Sequence, residues 1–253
     1  MAVQTEIGII GGSGFYRLNA QDPPGKASAF LEIETPFAKD KVILCRESTS
    51  GKDVFFLPRH GEQHRLPPHK INYRANLWAL KLAGVKTLFA VNAVGGIHAK
   101  LQPGSVVIPD QIIDYTWGRQ HSFFDDLNSL YDHCDFTYPY SQHLRELLLA
   151  AAATLKLAVT ENACFACTQG PRLETAAEIQ RLKRDGNDIV GMTGMPEAAL
   201  ARELGIDYAC IALVVNPAAG LSEAEISLAE IKKVLSTGLD DVRLLIAECL
   251  LKM

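Results

Sequence analysis

Two pieces of the chain decide its fold, TQGPRLETAAE (168–178) and DIVGMTGMPEAALARELGIDYACIALVVNPAAG (188–220). The apolar run Ala209–Val215 stops at Asn216-Pro217, and its length and breaker read as a buried parallel strand. Open α/β sheets bind ligands beyond the carboxyl ends of such strands. Asn216 stands there, with an amide that can donate and accept at once, as reading the edge of a heterocycle requires. Upstream lie a Pro171-Arg172 turn, an amphipathic segment, the loop Met192-Thr193-Gly194 and a helix with Pro196 in its first turn.

Working outward, Ile7–Ile10 reads as a first strand that ends in Gly11-Gly12-Ser13-Gly14. That turn is either an anion cradle with Ser13 assisting or a tight turn, and it lacks the GxGxxG spacing of a dinucleotide site. Residues 17–56 alternate with turn signals at 22–25, 35–36 and 50–51, as antiparallel hairpins do. Asp53–Leu57 is a strand that delivers Arg59, His60 and His64. Behind a buried strand such a cluster suits an anion, phosphate above all; the alternative is a solvated loop in which Arg59 pairs with Glu62. Ile71–Ala83 has helical periodicity closed by Gly84, and Lys86–Val91 is a strand ending in a turn, Asn92-Ala93-Val94-Gly95-Gly96. Val106–Ile108 and Gln111–Asp114 continue the sheet, Cys164–Thr168 is a strand, and Gln142–Leu155 and Ser227–Met253 are helices. Several strand ends thus converge on Gly, Ser, Arg, His and Asn.

Composition bounds the rest. The 253 residues, 48% hydrophobic and 21% charged, predict one soluble α/β domain over 1–253. A net charge of -4 without a basic block speaks against nucleic acid as a partner. No basic leader or membrane-length apolar run is present, so a cytoplasmic location is expected and no membrane. Of six cysteines only Cys164 and Cys167 have CxxC spacing, which favours core thiols over a metal site. Residues 115–140 are aromatic-rich (Trp117, Tyr131, His133, Tyr138) yet carry Asp125, Asp126, Asp132 and Asp135, so they read as a functional loop or one covered by a partner subunit. Glu174 is either a helix N-terminal carboxylate or a ligand-facing acceptor, and Thr193 either serves an anion or caps a helix.

Taken jointly, IGIIGGSG, PRHGEQH, NYRANLWALK, NAVGG, TQGPRLETAAE, GMTGMPE and NPAAG resemble the trimeric purine nucleoside phosphorylase and methylthioadenosine phosphorylase family over nearly the whole chain. The resemblance implies an α/β domain with a mixed, partly barrel-like sheet, assembly as a homotrimer, and phosphorolysis of a purine nucleoside without metal or organic cofactor, inorganic phosphate being a co-substrate. It assigns phosphate to Ser13, Arg59, His60, Asn92, Ala93 and Thr193, with Arg59 and His60 partly neutralising its charge. It places Met192 under the ribose, Leu173 where a phenylalanine usually packs on the base, and His133 toward the 5′ end of a neighbour's substrate.

Three departures predict the substrate. Adenine-specific relatives end the late strand in Asp-x-Asp, whereas this chain has Asn216 and Ala218; they have Ser-Ser where it has Glu174-Thr175. Glu174 would accept a purine N1–H and Asn216 would donate to O6 or N7, which suits a 6-oxopurine. Ile231 stands where nucleoside-specific relatives carry a histidine for the 5′-hydroxyl, and suits a 5′-methylthio group instead. The expected reaction is phosphorolysis of 5′-methylthioinosine, with methylthioadenosine and inosine or guanosine as alternative substrates.

Overall fold

The computed structural model describes residues 5–18, 29–61, 64–124, 133–223 and 225–253. Along the chain come β1 (Ile7–Gly11), β2 (Ala29–Ile33), β3 (Val42–Thr49), β4 (Lys52–Pro58), α1 (Tyr73–Leu82), β5 (Thr87–Gly96), β6 (Val106–Ile108) and β7 (Gln111–Asp114). They are followed by α2 (Gln142–Leu155), β8 (Val159–Glu161), β9 (Cys164–Cys167), α3 (Ala176–Arg184), β10 (Ile189–Gly191), α4 (Gly194–Glu203), β11 (Asp207–Pro217) and α5 (Leu228–Lys252). The expected turn at 22–25, Glu62, Tyr131 and Asp125, Asp126 and Asp132 lie outside the described residues.

A mixed α/β sheet results, organised by its two longest apolar strands. β5 and β11 run parallel from Thr87↔Asp207 onward, and β1 and β4 are parallel to them, so four strands point their carboxyl ends the same way. Along its other edge β5 pairs first with β1 over Thr87–Ala90 and then, at Gly95 and Gly96, with antiparallel β10. Between those partners the sheet forks. β2, β3 and β4 form the predicted antiparallel meander beside β1, and β9 and β7 extend the arm beyond β10.

The sequence reading of NAVGG as a turn is corrected here: Asn92–Gly96 continues β5, because β11 hydrogen-bonds alongside it to the end. Glycine at 95 meets a packing need, since a Cβ there would lie 3.4 Å from Asn216 Nδ2 and 3.2 Å from Val190 Cγ1. Nor does β11 stop at Val215. Its register slips between Val214 and Asn216, and such a bulge re-aims the side chain that follows it.

Helices cover both faces. α1, capped by the Asn72 side chain accepting from Ala75 N at 3.0 Å, joins α4 on one apolar core. α2 and α5 share the other core. α5 buries Leu235, Leu239, Val242, Leu245, Ile246, Cys249 and Leu250. At roughly 1.5–3 kcal/mol for each large apolar side chain, this packing outweighs the helix's own propensity.

Candidate active site

A cavity of about 240 Å³ opens at the fork, beyond the carboxyl ends of the parallel strands. Four separate stretches meet in it: Gly12 and Ser13 after β1, Arg59 and His60 after β4, Ala93–Gly95 of β5, and Asn216 at the end of β11. Met192 and Thr193 arrive from the loop after β10, Leu173 and Glu174 from the turn before α3, Ile226 from just before α5, and Leu228 and Ile231 from the start of α5. Ala218 also lines it.

Arg59 lies at the fork with only 1% of its surface exposed. Its Nε donates to Glu197 Oε2 at 2.7 Å, its Nη2 to Glu197 Oε1 at 2.8 Å, and its Nη1 to the Val91 carbonyl at 3.0 Å. The last bond serves a backbone oxygen of the stretch that follows the β1-paired part of β5. A Cβ on Gly12 would sit 2.9 Å from both Arg59 Nη1 and Val91 O, so only glycine leaves room there. Two of the five guanidinium N–H groups remain for a ligand. Glu197 is itself buried and also accepts from Tyr208 Oη at 2.8 Å. The fork of Arg59 is therefore closed by Glu197, and its charge is compensated inside the protein.

Burial holds the companion histidine toward its neutral form. The Leu66 carbonyl lies 2.8 Å from His60 Nδ1 and can only accept, so Nδ1 carries the proton. Burial, together with the nearby Arg59 and His64, lowers the His60 pKa to about 4 against the lift from the Leu66 carbonyl. With Arg59 matched by Glu197 and burial holding His60 toward its neutral form, this end of the cavity offers directed hydrogen bonds.

Asn92 does not line the cavity. Only 2% exposed, it donates from Nδ2 to Thr193 Oγ1 at 2.7 Å and accepts at Oδ1 from Cys210 Sγ at 3.4 Å. Thr193 precedes α4 but makes no capping bond with its side chain. With an acceptor lone pair occupied by Asn92, its own O–H is left to donate into the cavity.

Glu174 Oε1 accepts from Thr168 Oγ1 at 2.6 Å. It is not the helix N-terminal carboxylate: Thr175 and Glu178 form a reciprocal capping box on α3, and Arg172 puts its fork on Glu178 at 2.8 and 2.7 Å. Asn216 spends one Nδ2 hydrogen on the Pro217 carbonyl at 2.7 Å, leaving a second hydrogen and Oδ1. Leu173 is 45% exposed, so it forms a loose rim. His133 is exposed and does not line the cavity. Cys164 and Cys167 are free thiols whose pKa values burial pushes up to about 11 and about 12. Among the described residues no group of three or more His, Cys, Asp or Glu is placed to hold a metal.

Sequence reasoning passed over Glu197, Tyr208 and Arg119. Arg119 donates to the carbonyls of Thr168, Gln169 and Met195 and to Tyr73 Oη, tying the turn before Glu174 to α1 and α4. A charged residue on the buried face of a short helix was the available signal for Glu197. Nothing in the sequence singled out Arg119.

Fold and cavity define the class. The chain belongs to the phosphorylase superfamily, whose family model matches residues 6–251. It is 52% identical to a protein of Pseudomonas syringae pv. tomato named probable S-methyl-5′-thioinosine phosphorylase, over 97% of this chain and 98% of that one. Identity with the 6-oxopurine nucleoside phosphorylase of Pyrococcus furiosus is 42%, over 93% and 88% of the two chains. Among solved structures, the methylthioadenosine phosphorylase of Schistosoma mansoni in complex with adenine superposes with a TM-score of 0.86, at 32% identity over 96% of this chain and 90% of that one.

Proposed function

We propose that this enzyme cleaves 5′-methylthioinosine with inorganic phosphate, giving hypoxanthine and 5-methylthioribose 1-phosphate. The observation that carries the reading is one cavity lined together by Arg59, His60 and Thr193, by Glu174 and Asn216, and by Ile226, Leu228 and Ile231. The first group suits an oxyanion, the second the polar edge of a 6-oxopurine, the third an apolar 5′ substituent. The names of the relatives from Pseudomonas syringae and Pyrococcus furiosus support it.

In this mechanism Glu174 accepts the purine N1–H while Asn216 donates to N7 or O6, holding the base as it gains negative charge. Phosphate, oriented by Ser13, the Ala93 backbone, Thr193 and the two spare N–H groups of Arg59, lies below C1′. There it stabilises the oxocarbenium-like sugar and then bonds to C1′ as the glycosidic bond breaks. Met192 and Leu173 pack against ribose and base. Preorganised groups of this kind commonly supply the largest catalytic contribution. Phosphate is a co-substrate, and no metal or organic cofactor takes part. We place the enzyme in the cytoplasm as a homotrimer, with exposed Trp117 and Tyr138 at the subunit boundary and His133 reaching a neighbour's site.

Initial rates on methylthioinosine, methylthioadenosine and inosine, each with and without phosphate, test the reading. Phosphate-dependent release of hypoxanthine, fastest from methylthioinosine, supports it. Fastest cleavage of methylthioadenosine, the substrate that the likeness to the Schistosoma mansoni enzyme favours, overturns the base assignment alone. Equal rates without phosphate overturn phosphorolysis.

A further inference from the structure

His60 has a fixed polarity that the anion must match. Its ring is 6% exposed, it lines the cavity, and its Nδ1 hydrogen is committed to the Leu66 carbonyl at 2.8 Å. Nε2 has no protein hydrogen bond among the described residues, and in this tautomer it is a bare acceptor. The ring beside it, His64 at a centroid distance of 4.3 Å, and the Arg59 guanidinium both oppose a second proton on His60. The remaining polar groups have the opposite character. Thr193, whose Oγ1 already accepts from Asn92, keeps its O–H, and Arg59 keeps two N–H groups, so these residues supply donors toward the cavity.

We infer that the anion end of the cavity selects an oxyanion that carries a proton, hydrogen phosphate or hydrogen arsenate, and discriminates against sulfate. The inference rests on the phosphorolysis reading for the identity of the anion site. A hydrogen phosphate dianion presents one O–H, which His60 Nε2 accepts, and three bare oxygens, which take the donors. Sulfate has the same shape and charge but no hydrogen, so one of its oxygens faces the Nε2 lone pair with nothing between them. Because charge and size are shared, any preference isolates the proton. A missing bond to a buried partner facing a charged group corresponds to about tenfold or more in affinity.

The test is titration calorimetry of the whole protein with inorganic phosphate, arsenate and sulfate at neutral pH, without nucleoside. Phosphate and arsenate binding alike, with sulfate about tenfold or more weaker, is the expected result. His60→Asn, whose amide can donate, should bring the phosphate-to-sulfate ratio down toward one; a circular dichroism spectrum and melt check that it folds. Sulfate binding as tightly as phosphate to the unaltered protein overturns the inference, with or without the variant, as does an unchanged ratio in folded His60→Asn. Nucleoside turnover measured alongside separates the two readings. Phosphate-independent cleavage sinks phosphorolysis whatever the anion ranking, whereas equal anion binding with phosphate-dependent cleavage sinks only the proton selection.

Discussion

Arg59 and Glu197, 138 positions apart, close a two-pronged ion pair at 2.7 and 2.8 Å inside the fork of the sheet, each side chain 1% exposed. Such a pair is weak evidence for stability as a whole, yet breaking it strands a charge in the core. Glu197→Ala is expected to lower the unfolding free energy by about 3–5 kcal/mol, read from urea denaturation. The double variant Arg59→Met/Glu197→Leu should recover part of that loss, because no charge is left unpaired, while phosphate affinity is lost with the Arg59 N–H groups. Recovery is partial because Tyr208 Oη loses its acceptor.

Thr193 and Asn92 form one unit, with Asn92 fixing the direction in which Thr193 donates. Thr193→Val should raise the KM for phosphate by about 10–100-fold, the range for a bond to a charged group. Asn92→Leu should act in the same direction through Thr193. If the unit is real, the double variant is no worse than Thr193→Val; a double effect equal to the sum would count against it.

At the base edge, Glu174→Gln leaves one neutral acceptor oxygen, for which Thr168 competes, where a carboxylate had two. Loss of one preorganised group of this type costs about 10²–10³ in kcat on methylthioinosine. Asn216→Asp should shift the ratio of kcat/KM toward methylthioadenosine, because a protonated carboxyl can serve N7 whereas a carboxylate repels O6. An unchanged ratio would remove Asn216 from the reading.

Ile231 lines both this cavity and a second, roughly 710 Å³ groove along α5. Ile231→His introduces a partner for a 5′-hydroxyl and removes apolar surface. The expected shift in kcat/KM of inosine over methylthioinosine is about 10–100-fold, within what one apolar contact can discriminate.

Stability should fall with acid in two windows. The unfolded chain protonates histidine near the ordinary 6.5, but folded His60 does not until about 4. As pH falls between those values the unfolded state binds more protons than the folded one, and the contribution of His60, of order ~3 kcal/mol, is progressively lost. Burial also depresses His64, in the same direction. Glu178, held at about 2 by the Arg172 hydrogen bond, loses its contribution only between 4.5 and about 2. Denaturation midpoints across the upper window, compared with those of His60→Asn, separate the two: the variant should be flatter there and unchanged below it.

Much of this was legible in order along the chain. Runs such as Ala209–Val215 and Asp53–Leu57 became buried strands because their length, branching and breakers admit little else. Convergence of Ser13, Arg59, His60, Thr193, Glu174 and Asn216 on one cavity followed from the first four standing just past strand ends of one sheet and Asn216 in the last residues of another strand. NAVGG misled because two glycines usually signal a turn, while here Gly95 admits Val190 and the Asn216 amide and Gly96 the Leu101 carbonyl against a continuing strand.

Residue type alone determined which groups could meet an anion, a purine edge or an apolar substituent, since a side chain's donors, acceptors and apolar surface are intrinsic to it. Tertiary structure decided what those groups have left to offer. Glu197 takes the fork of Arg59, Leu66 fixes the His60 proton, and Asn92 turns Thr193, each partner arriving from another element. Hydrogen-bonding capacity is finite, and how it is divided depends on which neighbours the fold brings within about 3 Å.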